Sequence, residues 1–108
     1  MIRKLGKCQK TKQDGARIWL QNKTLTQCGF VPGANYVKSW NMGEIPVLEL
    51  HLVNENDFVD EWNIVSGKGE TPVIDITGWT VKQFFEGCTG YRAIFEKGLI
   101  KLEGVKSE

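Results

Sequence analysis

Cationic side chains crowd the beginning of this 108-residue chain, and phosphate groups are what such a cluster attracts. Five of them lie within the first twelve residues, which contain no acid: Arg3, Lys4, Lys7, Lys10 and Lys12. Residues 1–50 carry eight Lys and Arg against three Asp and Glu, whereas residues 51–108 carry six against ten. The near-neutral total of +1 therefore hides a basic pole and an acidic pole. The two poles either attract charged partners or chiefly keep the chain soluble and attract each other.

Trp19 is the aromatic residue best placed to join those cations. It alternates with Ile18 and Leu20 in a segment of strand period, so its ring should face away from theirs. An exposed ring beside Arg17 and Lys23 could stack on a base or anchor a protein partner. The competing interpretation is a strand buried on both faces, in which Trp19 belongs to the core.

No pattern of catalytic or metal-binding residues stands out. The single His51 lies in an apolar segment without a partner nearby in sequence, where a structural histidine is commoner than a general base. The carboxylates of Asp57, Asp60 and Glu61 fall in a polar segment and are expected to be solvated. The three cysteines lack metal-ligand spacing and are interpreted as reduced thiols. We therefore expect a protein that is not an enzyme and that needs no cofactor and no metal.

The elements that must position these residues come in two copies. An offset of 56 residues relates three apolar pairs: Ile18 and Ile74, Leu20 and Ile76, Leu25 and Val81. An offset of 55 relates others, among them Tyr36 and Tyr91, Trp40 and Phe95, Ile45 and Ile100, Val47 and Leu102. One supersecondary unit is thus used twice, and each copy is too small to build a core alone. The repeat predicts a pseudo-dimer in which the three pairs of the first set line one shared core.

Each copy is expected to run strand, hairpin, strand, short helix, strand, hairpin, strand, which is a β-rich α+β fold. The first unit spans residues 1–53, a polar linker spans 54–61, and the second unit spans 62–108. By size, the two units form one compact domain.

Side-chain caps are expected at both short helices. Asn22 or Thr24 can accept a hydrogen bond at the start of the first helix, which Gly29 then ends. Thr80 is the expected cap of the second helix, which runs to about Phe85.

One phrase, from Ile18 to Gly33, resembles a known family. It is Ile-x-Leu-x-x-Lys-x-Leu-x-x-Cys-Gly-Phe-x-Pro-Gly, and it is similar to the start of a unit of the SymE-type or AbrB-like superfamily, which includes the SpoVT and MazE-like domains. The resemblance covers about residues 2–50, with a looser second copy at 62–103. It implies a swapped-hairpin barrel built from two such units, here joined in one chain as a pseudo-dimer.

In that superfamily, basic residues of the first hairpin and of the strand after it meet DNA. The resemblance gives this role, by position, to four residues: Lys7, Lys10, Lys12 and Arg17. The matching hairpin of the second copy offers only Lys68. Ala34 stands where the family has an acidic residue, and the second copy has Gly87-Cys88-Thr89-Gly90 in place of the Pro-Gly turn. These departures weaken the case for a two-fold symmetric binding surface.

Three functions remain open at this point. The first is a nucleic-acid-binding regulator of the AbrB-like class that meets DNA or RNA through Lys7, Lys10, Lys12, Arg17, Trp19 and Lys23. The second is a small inhibitor or anti-defence protein, for instance of phage origin, that binds a protein through Trp19, Asp57, Asp60 and Glu61. The third is a SymE-like toxin acting on RNA or the nucleoid, although no nuclease residues accompany it.

Compartment and assembly follow from simpler features. No apolar run approaches the ~20 residues that span a bilayer, and the charged N-terminus is not followed by an apolar stretch. We expect a cytoplasmic protein without a membrane partner, present as a monomeric pseudo-dimer or as a homodimer.

Overall fold

The computed structural model describes residues 2–4, 6–8, 15–53, 62–68 and 70–106. The elements of the first half are β1 (Ile2–Lys4), β2 (Gly6–Cys8), β3 (Gly15–Leu20), α1 (Lys23–Gln27), β4 (Asn35–Met42) and β5 (Pro46–Leu52). Those of the second half are β6 (Asn63–Ile64), β7 (Ser66–Lys68), β8 (Thr71–Gly78), α2 (Trp79–Phe84), β9 (Cys88–Glu96) and β10 (Leu99–Lys106). Both halves have the same order of elements, and the expected β-rich α+β class is confirmed.

The described strands form two antiparallel sheets. One has six strands in the order β1-β9-β10-β5-β4-β6, and the other has four in the order β2-β3-β8-β7. Both strand orders are symmetric with respect to the repeat. If each strand is replaced by its counterpart in the other half, for example β1 by β6 and β4 by β9, the same order results when the sheet is followed from its other edge. The short strand that opens each half pairs with a strand of the other half, because β1 pairs with β9 and β6 pairs with β4.

The chain passes from one sheet to the other at a buried corner between β6 and β7. Val65 is 1% exposed there. Its N–H donates to the carbonyl of Ala34 and its carbonyl accepts from the N–H of Gly33, each at 2.9 Å. The first bond keeps the register of the β6–β4 pairing, whereas the second goes to the turn before β4. The described strands form two open sheets, and the closed barrel that the resemblance implied is not found among them.

One hydrophobic core lies between the sheets and beneath both helices. The alternation of apolar residues along the strands turns one face of each sheet inward, as period two requires. The six residues expected to share a core are all in one cluster of buried side chains, and this prediction is confirmed: Ile18, Leu20, Leu25, Ile74, Ile76 and Val81. The strand pairing adds to it, since Ile18 lies opposite Ile76 and Leu20 lies opposite Ile74.

The proposed match of β5 with β10 was one residue out of register. Ile45 is 41% exposed, although its expected counterpart Ile100 is fully buried. The buried positions of β5 are Pro46, Leu48 and Leu50, and those of β10 are Ile100, Leu102 and Gly104. The cause is turn length, because residues 43–45 separate β4 from β5 whereas only residues 97–98 separate β9 from β10. A shift of one residue moves every side chain of a strand to the other face.

The helices begin differently in the two halves. Asn22 caps α1, and its side-chain oxygen accepts a hydrogen bond from the Leu25 N–H at 3.2 Å. Gly29 follows with a φ of +94°, which is the left-handed conformation expected at the end of a helix. Thr80 was wrong as the second cap: α2 begins at Trp79, and its cap is Gly78, with a φ of +124° and no side-chain hydrogen bond. Since β8 runs to Gly78, opposite Ala16, only a glycine can take the bend between strand and helix.

No helix within the described residues is both long enough and apolar enough to cross a membrane.

Candidate functional site

The hairpin that carries the predicted basic cluster is formed by β2 and β3. Gly6 pairs with Arg17 and Cys8 pairs with Gly15, so the chain between these strands leaves the sheet at its Gly15 end. Lys7 lies on β2 opposite Ala16. Lys10 and Lys12 lie outside the described residues, in the segment that joins the two strands. The basic segment, residues 9–14 between the two strands, therefore attaches to the sheet at its Gly15 end.

Arg17 and Trp19 lie together on the solvent side of the four-stranded sheet. The Arg17 guanidinium donates to both carboxylate oxygens of Asp75, at 2.9 and 3.0 Å. Its central carbon also lies 4.4 Å from the centre of the Trp19 ring. The Trp19 indole N–H donates to the Gln21 side chain at 3.2 Å. The structure thus makes Trp19 half-buried and covers one part of its ring with a cation.

The contact with Asp75 offsets the charge that Arg17 was expected to offer a phosphate. The two side chains are 35% and 36% exposed, and pairs in such positions contribute less than about 1 kcal/mol to stability. Asp75 lies directly opposite Trp19 in the strand pairing. A partner that needs Arg17 must therefore compete with a weak but bidentate ion pair.

Lys23 lies at the other end of β3. It opens α1 just after Leu20, whereas the basic segment attaches at Gly15. Strand rise of ~3.4 Å per residue puts about 17 Å between these two ends. Lys23 is exposed, but the structure does not bring it to the end where the basic segment joins.

Trp79 and Lys82 form an exposed pair on α2 that the sequence argument did not single out. The Trp79 ring is 49% exposed, and the Lys82 ammonium lies 5.2 Å from the ring centre. Gly78, the residue before the helix, pairs with Ala16, so Trp79 lies at the Gly15 end of the sheet. Its spacing of three residues from Lys82 on a helix was the available signal.

The remaining tryptophans differ in role. Trp40, the counterpart of Phe95 in the repeat, is half-buried and packs edge-on against Phe84 with ring centres 4.9 Å apart. Trp62, just before β6, is 55% exposed, and Ile64 on β6 is 61% exposed. Asp57, Asp60 and Glu61, named for a protein partner, lie outside the described residues.

The described polar groups offer little chemistry. The nearest ionisable neighbour of the half-exposed His51 is Glu49, with Nε2 and Oε1 separated by 3.8 Å. Burial raises the pKa of the Cys28 thiol, and it also raises the pKa of Cys88 in spite of nearby Lys106, so both thiols are poor nucleophiles at neutral pH. Within the described ranges no group of three His, Cys, Asp or Glu side chains is arranged to hold a metal.

An open cleft of about 550 Å³ lies beside α1. Its walls are formed by Thr26, Gln27, Cys28, Gly29, Leu52, Lys97 and Gly98. The turn between β9 and β10 closes one side, where the Gly98 N–H donates to the Cys28 carbonyl at 2.8 Å. The cleft thus lies between one half's helix and the other half's hairpin.

Comparison with protein families, with curated proteins and with solved structures finds no match to this chain.

Proposed function

We propose that this chain is a nucleic-acid-binding protein built as a pseudo-dimer of two AbrB-like units. The observation that carries the proposal is the reciprocal exchange of short strands, β1 onto β9 and β6 onto β4. Exchange between two similar units is what the swapped-hairpin resemblance implies, and here it occurs within one chain. The finer assignment, with DNA or RNA as partner, follows from the resemblance and from the charge at the Gly15 end.

The strand register supports a pseudo-two-fold axis through the four-stranded sheet. A rotation that exchanges Trp19 with Asp75 also exchanges Ile18 with Ile74 and Leu20 with Ile76, and the observed pairs obey it. Two tyrosines that the repeat matches, Tyr36 and Tyr91, fit the same axis. The Tyr91 hydroxyl donates to the Trp19 carbonyl at 3.4 Å, and the charge of Asp75, the counterpart of Trp19, raises the pKa of Tyr36.

The binding surface that we propose is one-sided. The basic segment joins β2 to β3 in the first half, whereas in the second half Lys68 ends β7 and Glu70 precedes β8. Lys7, Lys10 and Lys12 are the proposed phosphate contacts, and Arg17 adds to them only if it leaves Asp75. A protein with one binding face should not need a palindromic target.

A salt titration tests the proposal. The whole chain is titrated with a labelled duplex and a labelled single strand at several salt concentrations. Three phosphate contacts on duplex give a slope of log K against log salt of about −2.7, and a fourth from Arg17 gives about −3.6, at ~0.9 per contact. If neither nucleic acid binds more tightly than ~100 μM at low salt, the proposed function is wrong.

A protein partner is the second candidate, and one surface favours it. Ile64 on β6 and Trp62 just before it are exposed at one edge of the six-stranded sheet. The outer backbone groups of an edge strand can accept a strand from another chain, and large apolar side chains then fix its position. The test is whether a protein retained by the immobilised chain is lost with the double variant Trp62→Ala, Ile64→Ser and kept with Trp79→Ala.

A further inference from the structure

The exposed face of α2 presents an aromatic ring with a cation over it. Trp79 is about half exposed, and Lys82 reaches over its ring from the next turn of the helix. Val81, between them, is 1% exposed, and Phe85 just beyond the helix is 2% exposed. These two anchors hold α2 on β3 and β8, so the ring is carried on a fixed element rather than on a loop.

Two other cation–ring pairs show what is particular about this one. Arg17 over Trp19 is tied to Asp75 by two hydrogen bonds. Lys38 lies 5.8 Å from the Trp40 ring, but that ring packs on Phe84 at the margin of the core. No carboxylate among the described residues pairs with Lys82. Lys82 can leave the Trp79 ring without breaking an ion pair in this part of the chain, and the ring face is then open.

The position of the pair supplies charge complementarity. Gly78 lies opposite Ala16, one residue from the point where the segment with Lys10 and Lys12 joins β3. Lys82 supplies a cation at the ring itself, and the sequence adds two lysines in the segment that joins β3 nearby. An anion that also presents a flat ring is a nucleotide, and its base can stack on an indole at a gain of about 1–3 kcal/mol.

We propose that Trp79 stacks on an unpaired base of a single-stranded nucleic acid while Lys82 turns to the adjacent phosphate. This inference rests on the proposed nucleic-acid-binding function and names the form of nucleic acid that is preferred. In a duplex the base faces are covered by their neighbours, so the open indole face has nothing to stack on. A single strand leaves every base face available.

The test is a fluorescence anisotropy titration with a short labelled oligothymidine, alone and annealed to its complement. Trp79→Ala should weaken single-strand binding by about 5- to 150-fold without changing the salt slope. Trp79→Phe should recover part of that loss. Lys82→Gln should flatten the single-strand slope by about 0.7, the value of one phosphate contact. The matched control is Trp62→Ala, which removes a ring of similar exposure from the residue before β6 and should leave binding unchanged.

The outcomes separate the two proposals. If the unmodified chain binds neither strand form, the proposed function fails and this inference fails with it. If the chain binds, but Trp79→Ala has the affinity of the unmodified chain, or loses affinity equally for duplex and single strand, only the stacking site is overturned. The melting temperature of each variant shows whether it is folded. If Trp79→Ala does not fold, the salt slope of Lys82→Gln tests the stacking site instead.

Discussion

At the middle of the four-stranded sheet, the first half places Trp19 where the second half places Asp75. The helices differ in a similar way: Cys28 follows α1 where Phe84 ends α2, 56 residues later. Phe84 packs edge-on against Trp40, whereas an open cleft lies beside Cys28. At the inward positions of β3 and β8, by contrast, both halves keep apolar residues of similar size, because Ile18 matches Ile74 and Leu20 matches Ile76.

This contrast separates two kinds of constraint. Inward residues of both halves contribute to one core, so a loss in either half destabilises the whole molecule. Outward residues are constrained only by what binds the surface, and a partner needs to contact only one half. The first half carries the basic segment, and the second half supplies α2 beside it. The proposed binding end therefore combines elements of both halves without being symmetric.

The largest effect expected from this comparison is on stability. Leu25→Ala should cost about 2–4 kcal/mol and Val81→Ala about 1–3 kcal/mol, because both side chains are at most 1% exposed and each replacement leaves a cavity. Chemical denaturation should show one transition for both variants, since the two helices cover one core. Two separated transitions in either variant would mean that the halves fold independently.

Alkaline pH should reveal the environment of Tyr36. Its burial, and secondly the negative charge of Asp75, raise the pKa of Tyr36 to about 12. The folded pKa lies above the ordinary value of ~10, so this stabilisation is complete below about pH 10 and is lost as the pH rises through about 12. The loss is roughly 2–3 kcal/mol, at ~1.4 kcal/mol per pH unit.

Denaturation curves measured between about pH 9 and about pH 12 check this loss. Tyr36→Phe should remove most of the alkaline decline, and Asp75→Asn should reduce it by a smaller amount. A decline as steep in Tyr36→Phe as in the unmodified chain would contradict the assignment.

The smallest effect on stability concerns the helix caps. Asn22→Ala should cost about 1 kcal/mol, because it removes the acceptor for the Leu25 N–H. Thr80→Ala is the matched control, since Thr80 does not cap α2, and its cost should stay within about 0.5 kcal/mol. Equal losses in thermal or chemical denaturation would show that the two helix starts are not different after all.

Local patterns in the sequence predicted local structure well. Alternation identified Ile18 and Leu20 as inward residues, Asn22 was one of two candidate caps for α1, and Gly29 marked the end of that helix. The repeat also identified residues of both halves that share one core. These features depend on residues close in sequence or on a periodicity that a single chain displays.

Long-range pairing was harder to predict. Strand exchange depends on which distant strand accepts β1 or β6, and neither strand has more than three residues to signal a partner. Arg17 and Asp75 are 58 residues apart in sequence, so no local pattern predicts their ion pair. The cap of α2 was expected at Thr80, two residues after Gly78, which makes the turn, so Trp79 was not expected on the helix.

The most direct test of the central claim compares the two hairpins as binding elements. The salt slope for labelled single strand is measured for the unmodified chain, for the double variant Lys10→Ala, Lys12→Ala, and for Lys68→Ala. One-sided binding predicts that the double variant flattens the slope by about 1.4, at ~0.7 per contact, and that Lys68→Ala leaves it unchanged. A double variant with the slope of the unmodified chain, or a slope that falls with Lys68→Ala instead, would contradict binding through the first hairpin.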